Sequence, residues 1–319
     1  MHLRGIGYAL IASLFFGLGA VLVRLLGKEI DATVAAFLNL FVGGLLVTVI
    51  LLFTGAPLFK ALRNFKRRDW LDLFLLACPG TSLSLLVIVA GFARTSALVG
   101  GFLLQFNGIA GLCFAVILLR ERIGIKQGMG TLLLLLGGAL VVLKGTQAIS
   151  LGSGVGDALV LLGSAGIGFS FIPAKRLSTR IDTMPLVAIR LLLGAATLLP
   201  ILAFQLIAGG LHSIQWQPSL TTLWVVLPMY IITNFCLGYL IQQEGLRHIK
   251  AWEMSAITQT VPLFATIFAL LILRDSMTLI QALGGLLAIL GGLIVSINSE
   301  TPAPTPVIPV TDPPVPTEF

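Results

Sequence analysis

Ten long apolar runs, separated by short polar breaks, define the pattern of this chain. Each run predicts a membrane-spanning helix, because about 20 apolar residues in a helix cross the hydrocarbon core of a bilayer. Pro228 and Pro262 lie inside the eighth and ninth runs, where a proline can kink a membrane helix without ending it. The predicted spans are 6–26, 33–53, 71–91, 97–119, 126–144, 155–174, 186–208, 221–242, 252–273 and 278–297.

The composition supports the same interpretation. Of the 319 residues, 57% are hydrophobic and 10% are charged, whereas a soluble domain carries about 25% charged residues. So few charges cannot cover a mostly water-facing surface, so we predict an all-α integral membrane protein in the lipid bilayer. The first run is too long for a signal-peptide core, and we expect it to be a spanning helix rather than a cleaved signal.

The basic residues predict how the helices are oriented. They fall in short clusters between the apolar runs, which is typical of membrane topology and argues against nucleic-acid binding despite the net charge of +7. With a cytoplasmic N-terminus, 14 of the 20 Lys and Arg residues fall in cytoplasmic segments and 5 at outer helix ends; Arg190 lies within the seventh run. Cytoplasmic loops are enriched in Lys and Arg, so we predict that both termini are cytoplasmic.

One stretch of the chain occurs twice. Residues 105–142 return at an offset of 154 positions, with 13 identities in 38 residues. Apolar residues match easily by chance, but polar residues and glycines at fixed spacing do not, so the pattern indicates an internal duplication. The identical pairs include Gln105 with Gln259, Arg120 with Arg274, Gly130 with Gly284, Gly137 with Gly291, and Gly138 with Gly292.

The duplication divides the chain into two five-helix repeats, which we place at residues 1–146 and 147–298. Because five is odd, the second repeat must enter the membrane from the opposite side, and such inverted repeats are a recurring plan of secondary transporters. Residues 299–319 contain seven prolines and cannot form a core. We predict an extended, disordered cytoplasmic tail there.

These features together resemble the EamA-type branch of the drug/metabolite transporter superfamily. Each repeat has an apolar helix, an Arg-acidic turn, then Gln and paired glycines, and the Phe16-Gly17 and Gln259–Phe264 segments are similar to family motifs. Two positions depart from the pattern. Gly108 of the fourth helix stands where the family has proline, and the second helix has Asn39 at the repeat position where the seventh has Arg190.

The resemblance implies a multi-pass transporter in a bacterial cytoplasmic membrane. It implies an exporter of small polar or amphipathic metabolites, such as amino acids, that works by alternating access between the two repeats. It also implies a central cavity lined mainly by helices 1, 3, 4, 6, 8 and 9, with helices 5 and 10 peripheral. The alternative is a non-transporting interaction or regulatory subunit that acts through the proline-rich tail.

Arg190 is the most informative charge for a binding site. An arginine near the bilayer centre costs roughly 2.5–3.5 kcal/mol on insertion scales, so it must face protein or a wet cavity. It could anchor the carboxylate or phosphate of a substrate. The alternative is that it snorkels to the nearby surface or bonds to neighbouring carbonyls.

Neutral polar residues on the predicted cavity helices are the other binding candidates. In a pocket they would contact a zwitterionic solute, and between helices they would form hydrogen bonds worth about 0.6 kcal/mol each. Glu253 has two interpretations as well, a helix cap or a proton-coupling carboxylate. We expect Gln242, Gln243 and Glu244 to form a solvated helix end close to the cytoplasmic surface. The predicted substrate-binding residues are Gln105, Asn107, Arg190, Asn234, Thr258 and Gln259.

We find no catalytic or metal-binding pattern in the chain. The three histidines are dispersed, the three cysteines lie inside apolar spans, and no ligand spacing or nucleophile motif is present. We therefore expect no enzyme activity, metal or cofactor, and a small-molecule solute as the ligand. The oligomeric state stays open, with a homodimer as one alternative.

Overall fold

The computed structural model describes residues 2–26, 29–54, 65–92, 94, 103–142, 154–209, 214, 216–272, 274 and 278–297. These residues are almost entirely helical, and an isolated antiparallel bridge joins Ile30 to Trp216. The predicted proline-rich tail, the boundary between residues 146 and 147, and the first residues of the predicted fourth span lie outside the described part of the chain.

The helical segments join into long rods that overlap the ten predicted spans. Among the described residues, seven of these helices are long and apolar enough to cross a membrane, and the three that begin at Phe106, Ile125 and Leu279 are shorter. The rods are α1 His2–Leu26; α2 Ala32–Phe53; α3, comprising Arg67–Ala77, a π-helical segment Cys78–Leu83 and Ser84–Phe92; α4 Phe106–Leu119; α5 Ile125–Val142; α6 Gly154–Ser178; α7 Thr183–Gly209; α8, comprising a π-helical Thr222–Val226, Leu227–Tyr230, a second π-helical Ile231–Gly238 and Tyr239–His248; α9, comprising Ala251–Ile257, a 3-10 turn Thr258–Thr260 and Val261–Ile272; and α10 Leu279–Ile297.

The two halves of the chain pack in an equivalent way. Helix α1 lies against α8 and α9, and its counterpart α6 lies against α3 and α4; α2 packs on α7, and α5 on α10. The counterparts run in opposite directions. Helix α1 begins where His2 contacts Glu253, and α6 ends at the same end of the bundle, where Arg176 pairs with Asp72. This antiparallel relation agrees with the inverted order inferred from the odd helix count.

Arg120 and its repeat counterpart Arg274 share a left-handed backbone conformation. Arg120 and Arg274 each have φ 55°, and they are the non-glycine residues with positive φ in the described chain. A side chain other than glycine pays a steric cost in this left-handed region. The same strained backbone angle at the same repeat position is therefore a structural trace of the duplication.

Gly130, Gly137, Gly284 and Gly291 lie at a close backbone contact between α5 and α10. A Cβ added to Gly137 would lie 2.5 Å from the backbone nitrogen of Ala288, and one added to Gly291 would lie 2.6 Å from the carbonyl oxygen of Gly130. Small residues let membrane helices pack backbone to backbone, since lipid offers no hydrophobic contrast to hold them together. The predicted packing role of these glycines is confirmed.

Large apolar side chains cover much of the outer surface of the bundle. Phe53, Ile207 and Leu220 are 88%, 85% and 78% exposed, whereas Trp252 is completely buried. An apolar surface of this extent marks a molecule that faces lipid. The structure is therefore that of a multi-pass membrane protein, and its polar groups are directed inward or to the helix ends.

Candidate functional site

A cavity of about 410 Å³ lies in the interior of the bundle. Helices of both halves contribute to its wall, namely α1, α3, α4, α6, α7, α8 and α9. Six of these are the helices expected to line a cavity, and α7 is added through Arg190. The lining residues are Phe16, Ala20, Gly80, Thr81, Leu85, Leu104, Gln105, Asn107, Ile167, Ser170, Phe171, Arg190, Phe235, Tyr239, Gln242, Thr258, Val261, Pro262 and Ala265.

Helix α3 reaches the cavity with a π-helical turn. Pro79 stands in this turn, and proline has no N–H to donate to the preceding helical turn, so the regular hydrogen bonding is interrupted. The hydroxyl of Thr81 donates to the carbonyl of Leu76 at 2.7 Å and satisfies one acceptor of that turn. Single-turn π segments occur frequently at functional sites, and this one places Gly80 and Thr81 on the cavity wall.

Helix α8, the counterpart of α3, also has a π-helical segment beside the cavity. The segment Ile231–Gly238 presents Phe235 to the cavity, and Tyr239 follows directly after it. The same departure from regular helix thus occurs in both halves. At these segments α3 contributes Thr81 to the cavity wall from one half, and α8 contributes Tyr239 from the other.

Arg190 extends from α7 to the cavity wall and is only 3% exposed. Its Nε donates to the Thr81 hydroxyl oxygen at 2.9 Å, and its guanidinium carbon lies 4.2 Å from the centre of the Tyr239 ring. The Thr81 hydroxyl uses its proton on Leu76, so its oxygen is free to accept from Arg190. Of the two structural alternatives, the side chain neither snorkels to the surface nor bonds to a carbonyl among the described residues.

Gln105, Asn107 and Thr258, three of the predicted binding residues, lie with Arg190 on the cavity wall. Asn107 is held in place from both ends of its amide. Its Nδ2 donates to the carbonyl of Leu104 at 2.7 Å, and its Oδ1 accepts from Gln259 Nε2 at 3.0 Å. This fixed amide supports the wall, and Gln105 lies next to it.

Asn234 and Gln259 lie outside the cavity wall. Gln259 is 1% exposed and bonds to Asn107 between helices α9 and α4. Asn234 packs against Gly19 of α1, and its Nδ2 lies 3.5 Å from the carbonyl oxygen of Phe15. The structure therefore brings four of the six predicted residues together around one cavity and places these two amides in helix contacts.

The Gln259 side chain occupies the space beside Gly108. A Cβ on Gly108 would lie 2.2 Å from the amide nitrogen of Gln259, and the hydroxyl of Ser255 donates to the Gly108 carbonyl at 3.2 Å. A proline at this position would displace this flexible amide and remove the Gly108 N–H bond to the Gln105 carbonyl. Glycine at residue 108 thus leaves the space in which Gln259 bonds to Asn107.

The expectation that Gln242 and Gln243 form a solvated helix end is wrong. Gln242 is 7% exposed and lines the cavity, and Gln243 is 1% exposed and donates to the carbonyl of Ala174 at 3.0 Å. Helix α8 continues past Gln242 to His248, so the two residues lie more than a turn inside its end. Gln242 follows Tyr239 by three residues, which places both on one face of the helix, and this spacing is the sequence signal for its role.

Charged side chains cross-link the helices at one end of the bundle, which we name the charged end. Asp69 of α3 pairs with Arg180, which lies just after the end of α6. Asp72 of α3 pairs with Arg176 in the last turn of α6. Lys175 of α6 donates to the carbonyls of Leu246 and Ile249, at 2.5 and 2.6 Å, where α8 ends. A cation suits the carbonyl end of a helix. The charged end thereby ties α3, α6 and α8 together.

Two carboxylates hold the first turn of α9 at the charged end. Glu121 accepts from the N–H groups of Ala251 and Trp252 at 3.0 and 3.1 Å. Burial raises the pKa of the Glu121 carboxyl, and these two N–H donors oppose the rise. Glu253 accepts from the Lys250 N–H at 2.8 Å, so the cap predicted for Glu253 is present. The order of residues gave no indication that Glu121 would reach α9.

At the opposite end, the α1–α2 connection contacts the segment before α8. Glu29 accepts from the Ser219 N–H at 2.7 Å, and the Gln217 N–H donates to the Glu29 carbonyl oxygen at 3.0 Å. These bonds continue the bridge between Ile30 and Trp216. Both ends of the bundle are therefore joined by contacts between the two halves of the chain.

Comparison with known proteins gives a consistent result. The model of the EamA-like transporter family matches residues 3–143 and 154–297. An uncharacterized transporter of Methanothermobacter thermautotrophicus is 24% identical over 302 residues, which cover 91% of this chain and 85% of the relative. An uncharacterized transporter of Synechocystis sp. is 24% identical over 267 residues, which cover 82% and 75%.

A solved structure shares the fold. It is described as "Crystal structure of protein", and it superposes with a TM-score of 0.77 at 14% sequence identity. The superposition covers 92% of this chain and 98% of the other. At this identity the likeness concerns the fold alone.

Proposed function

This chain belongs to the EamA-like transporter family, and we propose that it exports small polar or amphipathic metabolites, such as amino acids, across the cytoplasmic membrane. In this proposal all ten rods cross the bilayer, both termini are cytoplasmic, and the inverted repeats give alternating access to the central cavity. Transporter function itself is supported by the family and by relatives named as transporters.

The cavity between the two halves is the observation that carries the proposal. It is lined by both repeats, it is large enough for a small metabolite, and its few polar groups converge from helices α3, α4, α7, α8 and α9. A mostly apolar pocket with a small number of placed polar groups is the usual form of a ligand site. In inverted-repeat transporters such a site lies near the bilayer midplane between the repeats.

The charged end has the properties that a reversible closure needs. Its ion pairs join α3 of the first repeat to the end of α6 in the second, so opening the cavity to this side separates them. The Arg180 and Arg176 side chains are 49% and 31% exposed, whereas their partners Asp69 and Asp72 are 6% and 7% exposed. The pairs are therefore only partly open to water, and opening the cavity to this side exposes both carboxylates.

Flux measurements with purified protein in liposomes test the proposal. A panel of amino acids and related metabolites is presented to each side, and at least one should show saturable, protein-dependent exchange. Ala20→Phe, which fills part of the cavity, should abolish this flux, whereas Leu283→Phe on the lipid-facing surface should leave it unchanged. Accumulation in everted membrane vesicles identifies export. If the two variants behave alike, the cavity is not the path.

A second measurement separates transport from a role of the tail. Removing residues 300–319 should leave flux intact if the helical bundle is the functional unit. Loss of a cellular phenotype while the truncated protein still transports would favour the interaction subunit. Chemical turnover of a panel member during the same assay would point to an enzyme instead.

A further inference from the structure

Arg190 carries the single formal charge among the described residues that line the cavity. The remaining polar wall residues are neutral amides and hydroxyls, and no carboxylate of the described chain pairs with Arg190. A guanidinium does not lose its proton in proteins, and a charge buried without a partner is costly. Arg190 is 3% exposed at this position, and the described residues provide no counter-charge for it.

The contacts of Arg190 among the described residues leave the edge between its two terminal amino groups unused. Among the described residues it donates one hydrogen bond, from Nε to Thr81, and Tyr239 covers one face of the guanidinium. A guanidinium has five N–H donors in a rigid fork, so the terminal amino groups remain for a ligand. Two parallel N–H bonds from this fork fit the two oxygens of a carboxylate.

The rest of the wall is suited to an apolar body. Phe16, Leu85, Phe171, Phe235 and Val261 belong to it. We propose that Arg190 is the anion subsite of the cavity and that the transported solute is an amphipathic organic acid. Its single carboxylate binds Arg190, and its apolar part lies against these side chains. The inference rests on the proposed function and names the substrate class for the same cavity.

The charge of the wall selects among anions and against cations. A phosphate monoester carries about −1.5 to −2 charges at neutral pH, which a single guanidinium leaves partly unpaired, whereas one carboxylate is matched. The described wall has no carboxylate to receive an ammonium group. An amino group on the solute therefore meets only neutral amides such as Gln105 and Gln242, and it is tolerated rather than required.

A series of phenyl compounds of similar size tests the inference with purified protein. The compounds are 3-phenylpropanoate, phenylalanine, phenylalaninamide and phenethylamine, and binding is read from ligand-dependent rises in melting temperature and from calorimetric titration. The first two carry the carboxylate and should bind, whereas the last two should not. Inorganic phosphate and chloride serve as further probes, and neither should compete with 3-phenylpropanoate as strongly as phenylalanine does.

Variants at Arg190 assign the effect to this residue. Arg190→Met should weaken carboxylate binding on the order of 30-fold or more, because it removes a buried charged contact, and Arg190→Lys should weaken it less. Arg122→Met, at an exposed loop position, is the matched control and should bind as the unchanged protein does. Without ligand, Arg190→Met should melt at the same or a higher temperature, since replacing an unpaired buried charge by an apolar side chain relieves a desolvation cost.

Several results would overturn the inference. They are equal binding of phenethylamine, unchanged carboxylate binding in Arg190→Met, absence of binding by both carboxylates, and an Arg190→Met protein that is markedly less stable without ligand. The flux assay separates this inference from the proposed function. Saturable transport of a solute without a carboxylate leaves the function standing and removes the subsite, whereas Arg190-dependent binding without flux does the opposite.

Discussion

Replacing Gly137 by alanine would place a methyl group inside the contact between α5 and α10. The added Cβ would lie 2.5 Å from the Ala288 nitrogen and 2.6 Å from the Gly284 carbonyl oxygen. Both are backbone atoms of α10, so no change of rotamer makes room and the helices must separate. Gly128 is the matched control, because it lies in the same helix and an added Cβ there meets nothing within 4 Å.

The size of the effect follows from these distances. Ordinary van der Waals contact begins at 3.4 Å, so the two helices must move apart by roughly 1 Å, and a gap of that order forfeits about a quarter to a half of each close dispersion contact. Overpacking costs about 1–3 kcal/mol. Both substitutions gain up to about 1 kcal/mol of helix propensity. The difference between the variants therefore isolates the steric cost, about 1–3 kcal/mol against Gly137→Ala.

Equilibrium unfolding in mixed micelles measures this difference. In a background in which Trp70, Trp216 and Trp224 are replaced by phenylalanine, the fluorescence of the fully buried Trp252 reports loss of the packed bundle. Gly137→Ala should shift the folded-to-unfolded ratio by roughly 5- to 150-fold relative to Gly128→Ala. Equal stability of the two variants would refute the close approach of α5 and α10 as described here.

Two further predictions concern the cavity and the far end of the bundle. In a variant without the three native cysteines, cysteine in place of Gln105 should react with an aqueous thiol reagent and be protected by bound solute. Cysteine in place of Gln259, which is 1% exposed, should stay unreactive. Labelling at both positions would contradict their placement. The Ser219 N–H holds the pKa of the Glu29 carboxyl below its usual value of 4.5, so this link stabilises the fold above about pH 4.5 and is lost as pH falls through the depressed folded-state pKa. Glu29→Gln should flatten that part of the acid-denaturation curve, and an unchanged curve would mean that the link does not contribute.

The periodic features of the chain predict the fold well because membrane folding depends on local composition. An apolar run of about 20 residues has few alternatives to a helix, since every backbone group must be satisfied within the bilayer. The glycine spacing of α5 and α10 is equally local, and it correctly predicts a contact face. The duplicated pattern likewise identifies which helices correspond to each other.

The candidate site was less predictable, because identical residues can face different surroundings. Gln105 and Gln259 are repeat counterparts, yet Gln105 lines the cavity while Gln259 fills the space above Gly108. Repeat position indicates equivalent depth in the bundle, but the neighbouring side chain decides whether an amide meets the cavity or another helix. For the same reason Gln242, assigned to solvent by its place near a helix end, lies on the cavity wall.

The sequence alone determined the helical, membrane-embedded class of the protein, its internal duplication and the inverted order of its halves, because hydrophobic length and repeat count act without reference to distant residues. Only the tertiary structure decided which polar groups share a cavity. It brought Arg190 beside Thr81 and Tyr239 and left the guanidinium without a carboxylate among the described residues. It also placed Glu121 at the first turn of α9, 130 residues away. These contacts join segments far apart in the chain, and their distances depend on packing that no local pattern records.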